Sequence, residues 1–137
     1  MAVAGLVLAG CGGAGVTPIS QFSGTWTGNQ SFLTNAGLQT DVGTLTFTVD
    51  VAGYISGSIT RDPPDQETVP LSGNVLPGGE LAFTWQFSNF SSARTANGMV
   101  EVVADQLRPK LDSNLNRRLR VRDANATPGY IEFALSK

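Results

Sequence analysis

From Phe22 to the end of the chain, apolar and polar residues alternate with a period of two, and turn-forming residues recur about every ten positions. The clearest run is Leu81-Ala-Phe-Thr-Trp-Gln-Phe-Ser88, which sets Leu81, Phe83, Trp85 and Phe87 on one face and Ala82, Thr84, Gln86 and Ser88 on the other. That pattern fits a half-buried strand, whose side chains point alternately to two sides. Residues 43–51 repeat it, with Leu45, Phe47 and Val49 opposite Thr44, Thr46 and Thr48. Strands are predicted over 22–28, 43–51, 54–60, 69–75, 81–88, 98–104, 115–123 and 129–136, eight in all. Tight turns at Asp50-Val-Ala-Gly53, Leu76-Pro-Gly-Gly79 and Asn97-Gly98, with a longer one over 123–129, join them as an antiparallel meander. Residues 104–111 form the one weak helical pattern, and Pro109 interrupts it. The predicted class is all-β. Eight such strands bury their apolar face by closing into an up-and-down barrel, which also removes unpaired edges, or by packing as a two-sheet sandwich.

The start of the chain follows another pattern. Residues 1–40 carry no charge, and the first ten are small and apolar, too few to span a bilayer but suited to the apolar region of an export signal. Leu8-Ala9-Gly10-Cys11 resembles the lipobox of bacterial lipoproteins, in which a signal peptidase cuts before the cysteine and the thiol is joined to diacylglycerol. The resemblance implies a signal peptide over residues 1–10, a lipidated Cys11 opening a flexible tether over 11–21, and a barrel domain over 22–137. No Lys or Arg precedes Cys11, so the true start is expected upstream of Met1. With about 0.8 kcal/mol per buried CH2, two or more acyl chains hold a protein stably on a membrane. Ten Gly-rich residues span roughly 16–19 Å, enough to lift a small domain off the headgroups. Glycine at position 12 is similar to the outer-membrane sorting pattern. The expected partner is therefore the envelope membrane, through Cys11.

Phe22-Ser-Gly-Thr-Trp-Thr-Gly28 carries a second resemblance. Gly24-Thr25-Trp26 resembles the G-x-W signature of lipocalins and wider calycin-like barrels, where Trp on the first strand plugs the closed end. A second lipocalin motif and a C-terminal helix are both missing from this chain, so the resemblance is to a lipocalin-like barrel. In that family a cation near the last strand stacks on the Trp; neither Lys137 nor Arg122 sits in a matching motif, and the role is not transferred. The candidate lumen is lined by Trp26, Phe47, Phe83, Trp85, Phe87 and Phe133. Those rings either fill an eight-stranded barrel or line a pocket for a small apolar or amphipathic ligand. Residues 29–42 stand where such barrels carry a lid loop, with Phe32, Leu33 and Leu38 as candidate lid residues, capping a cavity or completing the core.

Composition narrows the chemistry. The chain has 137 residues, 15% of them charged, a net charge of -2 and no histidine. Missing histidine removes the usual acid-base side chain near neutral pH, the commonest transition-metal ligand and the usual nucleophilic triad. A net negative charge gives no case for nucleic acid, whose binding rests on phosphate neutralisation. Asp62, Asp65 and Glu67 share a loop but match no calcium motif. No cofactor, metal or catalytic group is predicted; carboxylates acting with Tyr54 or Tyr130 are the least favoured reading. Charge is also segregated: residues 41–105 carry eight acidic and two basic groups, and residues 106–137 three and seven. Arg118, Arg120 and Arg122 alternate with Leu119 and Val121 and read as an outward basic stripe, because burying three unpaired cations is costly. Arg117, on the opposite parity, is expected near the rim. The basic segment either pairs with acidic neighbours or touches anionic headgroups. Two functions follow: a lipid-anchored, non-enzymatic ligand-binding barrel, or a solid barrel working as an interaction module.

Overall fold

The computed structural model describes residues 16–137, so the signal segment and Cys11 lie outside the described residues. Nine strands, β1 (Gly24–Thr34), β2 (Gln39–Val49), β3 (Tyr54–Arg61), β4 (Glu67–Val75), β5 (Glu80–Trp85), β6 (Arg94–Val103), β7 (Gln106–Pro109), β8 (Leu119–Arg122) and β9 (Gly129–Ser136), form one antiparallel sheet. Neighbours pair in order from β1 to β7, β7 pairs with β9, and β9 returns to β1 over eight residue pairs from Thr27↔Ser136 to Thr34↔Gly129. The predicted eight-stranded antiparallel barrel is therefore closed, and the sandwich alternative is not formed. The ninth strand, β8, is additional to that ring. It shares both neighbours with β7 but lies further along them: β7 faces Val100–Val103 of β6, and β8 faces Thr95–Asn97. Residues 110–118 leave the wall between the two and fold back on themselves through the Leu111↔Arg117 bridge.

Four segments differ from the sequence expectation, each for a physical reason. Asn97-Gly98, expected as a hairpin turn, lies inside β6 opposite Ala82 and Leu81, and Gly98 is there to leave room for Leu119. Residues 29–42, expected as a lid loop, belong mostly to β1 and β2, which run on to a short turn at residues 35–38. Their polar residues look loop-like in sequence, but Asn29 and Thr44 form one outward pair across the ladder. A bulge between Gln30 and Phe32 takes up the extra residue on β2 beside Asp41, whose φ is +50°. The weak helical pattern at 104–111 is instead β7, with Pro109 at its last position, where a missing N–H interrupts little of the ladder. Residues 115–118 are part of the excursion rather than of a strand, with Leu115 exposed and at φ +63°.

The inward face is a single apolar core running from Phe22 to Leu135. Phe83, fully buried, stands 6.2 Å from Phe47, 5.4 Å from Trp85 and 6.4 Å from Phe133 by ring centroids, so the four rings form one column in the lumen. Glycine supplies the room for it. Gly73 pairs with both Ile55 and Phe83, and a Cβ there would overlap the carbonyl of Ala82. Gly73→Ala is therefore expected to cost about 1–3 kcal/mol through overpacking, read as a lower midpoint in urea at unchanged slope.

Outward positions are paired differently on the two sides of the barrel. Thr25 meets Thr48 at 2.8 Å, Thr27 meets Thr46 at 2.7 Å and Thr60 meets Thr68 at 2.8 Å, hydroxyl to hydroxyl across adjacent strands. The outward positions of β1–β4 carry no charge, whereas β6 to β9 hold most of the arginines.

Candidate functional site

One end of the barrel is closed by the 3-10 turn Ile19–Gln21 and by Phe22. The turn seats there because Gly78 donates its N–H to the Thr17 carbonyl at 2.6 Å and Ile19 packs near Gly53. Residues 17–21, expected in the tether, are thus attached to the barrel. Trp26 plugs this end, its Nε1 donating to the Phe22 carbonyl at 2.7 Å. Lys137 lies over the indole with Nζ 5.0 Å from the ring centroid. Gly24 makes that possible: its φ of +119° suits glycine, and a Cβ would come within 2.9 Å of the Lys137 Cε. The cation over the Trp, which no sequence motif announced, is therefore present and comes from Lys137, just beyond β9.

The opposite, loop-bearing end is organised by two arginines that sequence reasoning did not single out. Arg61, on the inward parity of β3, is buried and fully engaged. Its Nε donates to the Asp65 carbonyl (2.7 Å), Nη1 to Asn89 (2.8 Å) and to Asp41 (3.4 Å), and Nη2 to Glu67 (2.8 Å), while its guanidinium lies 4.3 Å from the Phe87 centroid. Glu67 also accepts from the backbone and hydroxyl of Ser88. The acidic loop considered for calcium thus spends Glu67 on Arg61 and Ser88. Arg94 is held otherwise, stacked 4.7 Å from Phe32 and 3.8 Å from Phe90. Burial pushes its pKa down, against the pull of Asp41 and Asp123.

The predicted lumen residues Trp26, Phe47, Phe83, Trp85, Phe87 and Phe133 are all buried on the inward side, but they pack with one another. Near the loop-bearing end, the gap among Gln30, Phe32, Ile59, Trp85, Phe87 and Arg94 does not admit a water-sized sphere. Gln30 donates to the carbonyls of Asp41 (2.6 Å) and Thr60 (3.3 Å), which fixes its amide and turns Oε1 inward without a protein partner. Trp85 Nε1 lacks one too. Of the candidate lid residues, Phe32 is a buried core residue, Leu33 is half-buried and Leu38 is 66% exposed at the turn.

Arg120 and Arg122 point outward and Leu119 and Val121 inward, as the alternation predicts, with Arg118 just before the strand. The structure brings more to this stripe than the sequence suggested. Tyr130, on β9 and paired with Arg120, lies against two guanidiniums, 3.7 Å from Arg118 and 4.3 Å from Arg120 by ring centroid. Asp112 on the excursion accepts from Arg118 Nε at 2.8 Å and from the N–H groups of Asn114 and Asn116, which holds the excursion folded over the wall. A groove of about 320 Å³ runs beneath it, lined by Lys110, Arg118, Arg120, Tyr130, Asp112 and Asn97 among others. Arg117 is on the outside as well, bonded to Glu101 (2.7 Å) and to the Pro109 carbonyl (3.2 Å). A wider depression of about 580 Å³ at the Trp26 end includes one Asp and one Lys, Asp105 and Lys137, and so has no charge preference.

Three carboxyls in these networks are held below their ordinary values. The Ser88 backbone N–H, the Ser88 hydroxyl and Arg61 do this for Glu67; for Asp112 the Asn116 N–H leads, followed by Arg118. At Glu101 burial pulls upward and is outweighed by the hydrogen bonds and charges of Arg117 and Arg108. The unfolded chain therefore takes up protons at these groups first as pH falls, so their contribution is present above the ordinary values of 4.5 and 3.8 and is lost as pH drops through the lower folded-state values. With no histidine in the chain, the melting temperature is expected to stay flat between about pH 6 and pH 8 and to fall progressively below about pH 4.5. A melting temperature unchanged down to about pH 3 would show that these pairs contribute nothing.

The architecture is that of an eight-stranded antiparallel β-barrel, consistent with a lipocalin-like fold. Compared with protein-family models, with curated proteins and with solved structures, the chain matches none.

Proposed function

We propose that this protein is a non-enzymatic, lipid-anchored module of the bacterial cell envelope whose solid barrel acts through its outer surface. The observation that carries this reading is the aromatic column around Phe83, which occupies the volume a carrier would leave for an apolar ligand. The lipobox-like Leu8-Ala9-Gly10-Cys11 supports the anchor and, with Gly12, an outer-membrane address. Thr17 and Ile19 meet the barrel at its Trp26 end, so an acylated Cys11 six residues before Thr17 would turn that end toward the bilayer.

Intact-mass analysis of the chain expressed with an upstream signal tests the anchor. Cleavage before Cys11 with the added mass of a diacylglyceryl group is expected, and Cys11→Ala should leave the protein in the soluble fraction. An unmodified free thiol on membrane-associated protein would overturn it.

A further inference from the structure

The groove under the 110–118 excursion combines properties that the barrel wall elsewhere lacks. Its lining holds three cations, Lys110, Arg118 and Arg120, and one carboxylate, Asp112, a surplus of two positive charges. Asp112 is already committed to Arg118 and to two backbone N–H groups of the excursion. Lys110 and Arg120 are exposed, and neither takes part in any of the ion pairs among the described residues. Tyr130 lies against both guanidiniums, which keeps two cations together in the lining. Asn97 and Asn114 add neutral donors to the same lining.

We propose that this groove is a binding site for a phosphomonoester group. Such a group carries about -1.5 to -2 charges at pH 7 and presents three acceptor oxygens, matching a lining with a surplus of two cations and several directed donors. A single carboxylate would leave one cation of the surplus unmatched. The ligand's phosphate can belong to a lipid headgroup exposed at a membrane surface or to a soluble phosphorylated molecule; the groove recognises the chemistry they share. The inference stands on the groove alone and does not depend on the anchor.

The test uses the full chain carrying Cys11→Ala, so that acylation cannot mediate membrane contact, titrated with inorganic phosphate at low ionic strength and followed by the NMR shifts of Asn97 and Asn114. Saturable binding is expected, weakened at least about tenfold by Arg120→Gln, the size of one lost charge-assisted hydrogen bond, and similarly by Lys110→Gln. Arg108→Gln, at an arginine paired with Glu101 and outside the groove lining, should leave it unchanged. Because the chain has no histidine, its charge is nearly constant from about pH 5.5 to about pH 7.5, while inorganic phosphate loses its second proton toward the upper end of that interval. Binding should therefore tighten across that interval. Phosphatidylcholine vesicles with and without phosphatidic acid identify the source: binding to the acidic vesicles that is lost in Arg120→Gln places the phosphate on a lipid, and phosphate binding without vesicle binding places it on a soluble molecule. Absence of saturation, equal binding by Arg120→Gln, or an affinity that does not change with phosphate ionisation would overturn the proposal.

Discussion

Phe83→Ala is expected to lower the free energy of unfolding by about 3–5 kcal/mol, the range for removing a fully buried ring. Phe83 is 0% exposed and touches Phe47, Trp85 and Phe133, so its loss opens a cavity in the middle of the lumen with rings on several sides. The closed ring of strands limits how far the walls can collapse inward, which places the cost toward the upper part of that range. For a domain with about 5–15 kcal/mol of stability in total, this is a large fraction of what holds it folded. Equilibrium urea unfolding measures it: the midpoint should drop markedly while the slope stays constant. A loss below about 1 kcal/mol would mean that the ring faces a tolerant cavity rather than a packed core.

Arg61→Ala should also lower stability, by about 1–3 kcal/mol, through lost hydrogen bonds and packing at a buried guanidinium. Its side chain is 5% exposed, and removing it leaves Glu67 with only its Ser88 donors and takes from Asp41 and Asn89 a donor that ties three segments of the chain together. The loss of a guanidinium stacked on Phe87 adds a packing component. The double variant Arg61→Ala/Glu67→Gln separates the pair from the rest. The non-additivity measures the Arg61–Glu67 pair itself. Strict additivity would mean that Arg61 works independently of Glu67, through Asp41, Asn89, the Asp65 carbonyl and its packing on Phe87.

The alternation of Leu81, Phe83 and Trp85, and the outward setting of Arg120 and Arg122, could be read directly, because inward and outward positions differ in chemistry as well as in parity. The end of β1 could not: Gln30 faces inward, and its polarity breaks the apolar pattern although its amide is held by the Asp41 and Thr60 carbonyls. Arg61 was illegible for a related reason. An arginine on the apolar parity looks misplaced until Asp41, Glu67 and Asn89, 6 to 28 residues away, are seen to converge on it. β7 escaped because its four residues, ending on Pro109, are too few to display a period, whereas β8 showed its alternation within the strand predicted over 115–123. The groove exists only because that excursion folds over Tyr130 and the arginines, which local patterning does not report.

The most direct measurement of whether the barrel is solid is a titration of the folded chain with a neutral apolar naphthylamine probe, followed by fluorescence. The account predicts no saturating one-to-one uptake, because the aromatic column leaves no lumen to enter. Stoichiometric, saturable uptake by natively folded protein would contradict it and restore the barrel as a carrier.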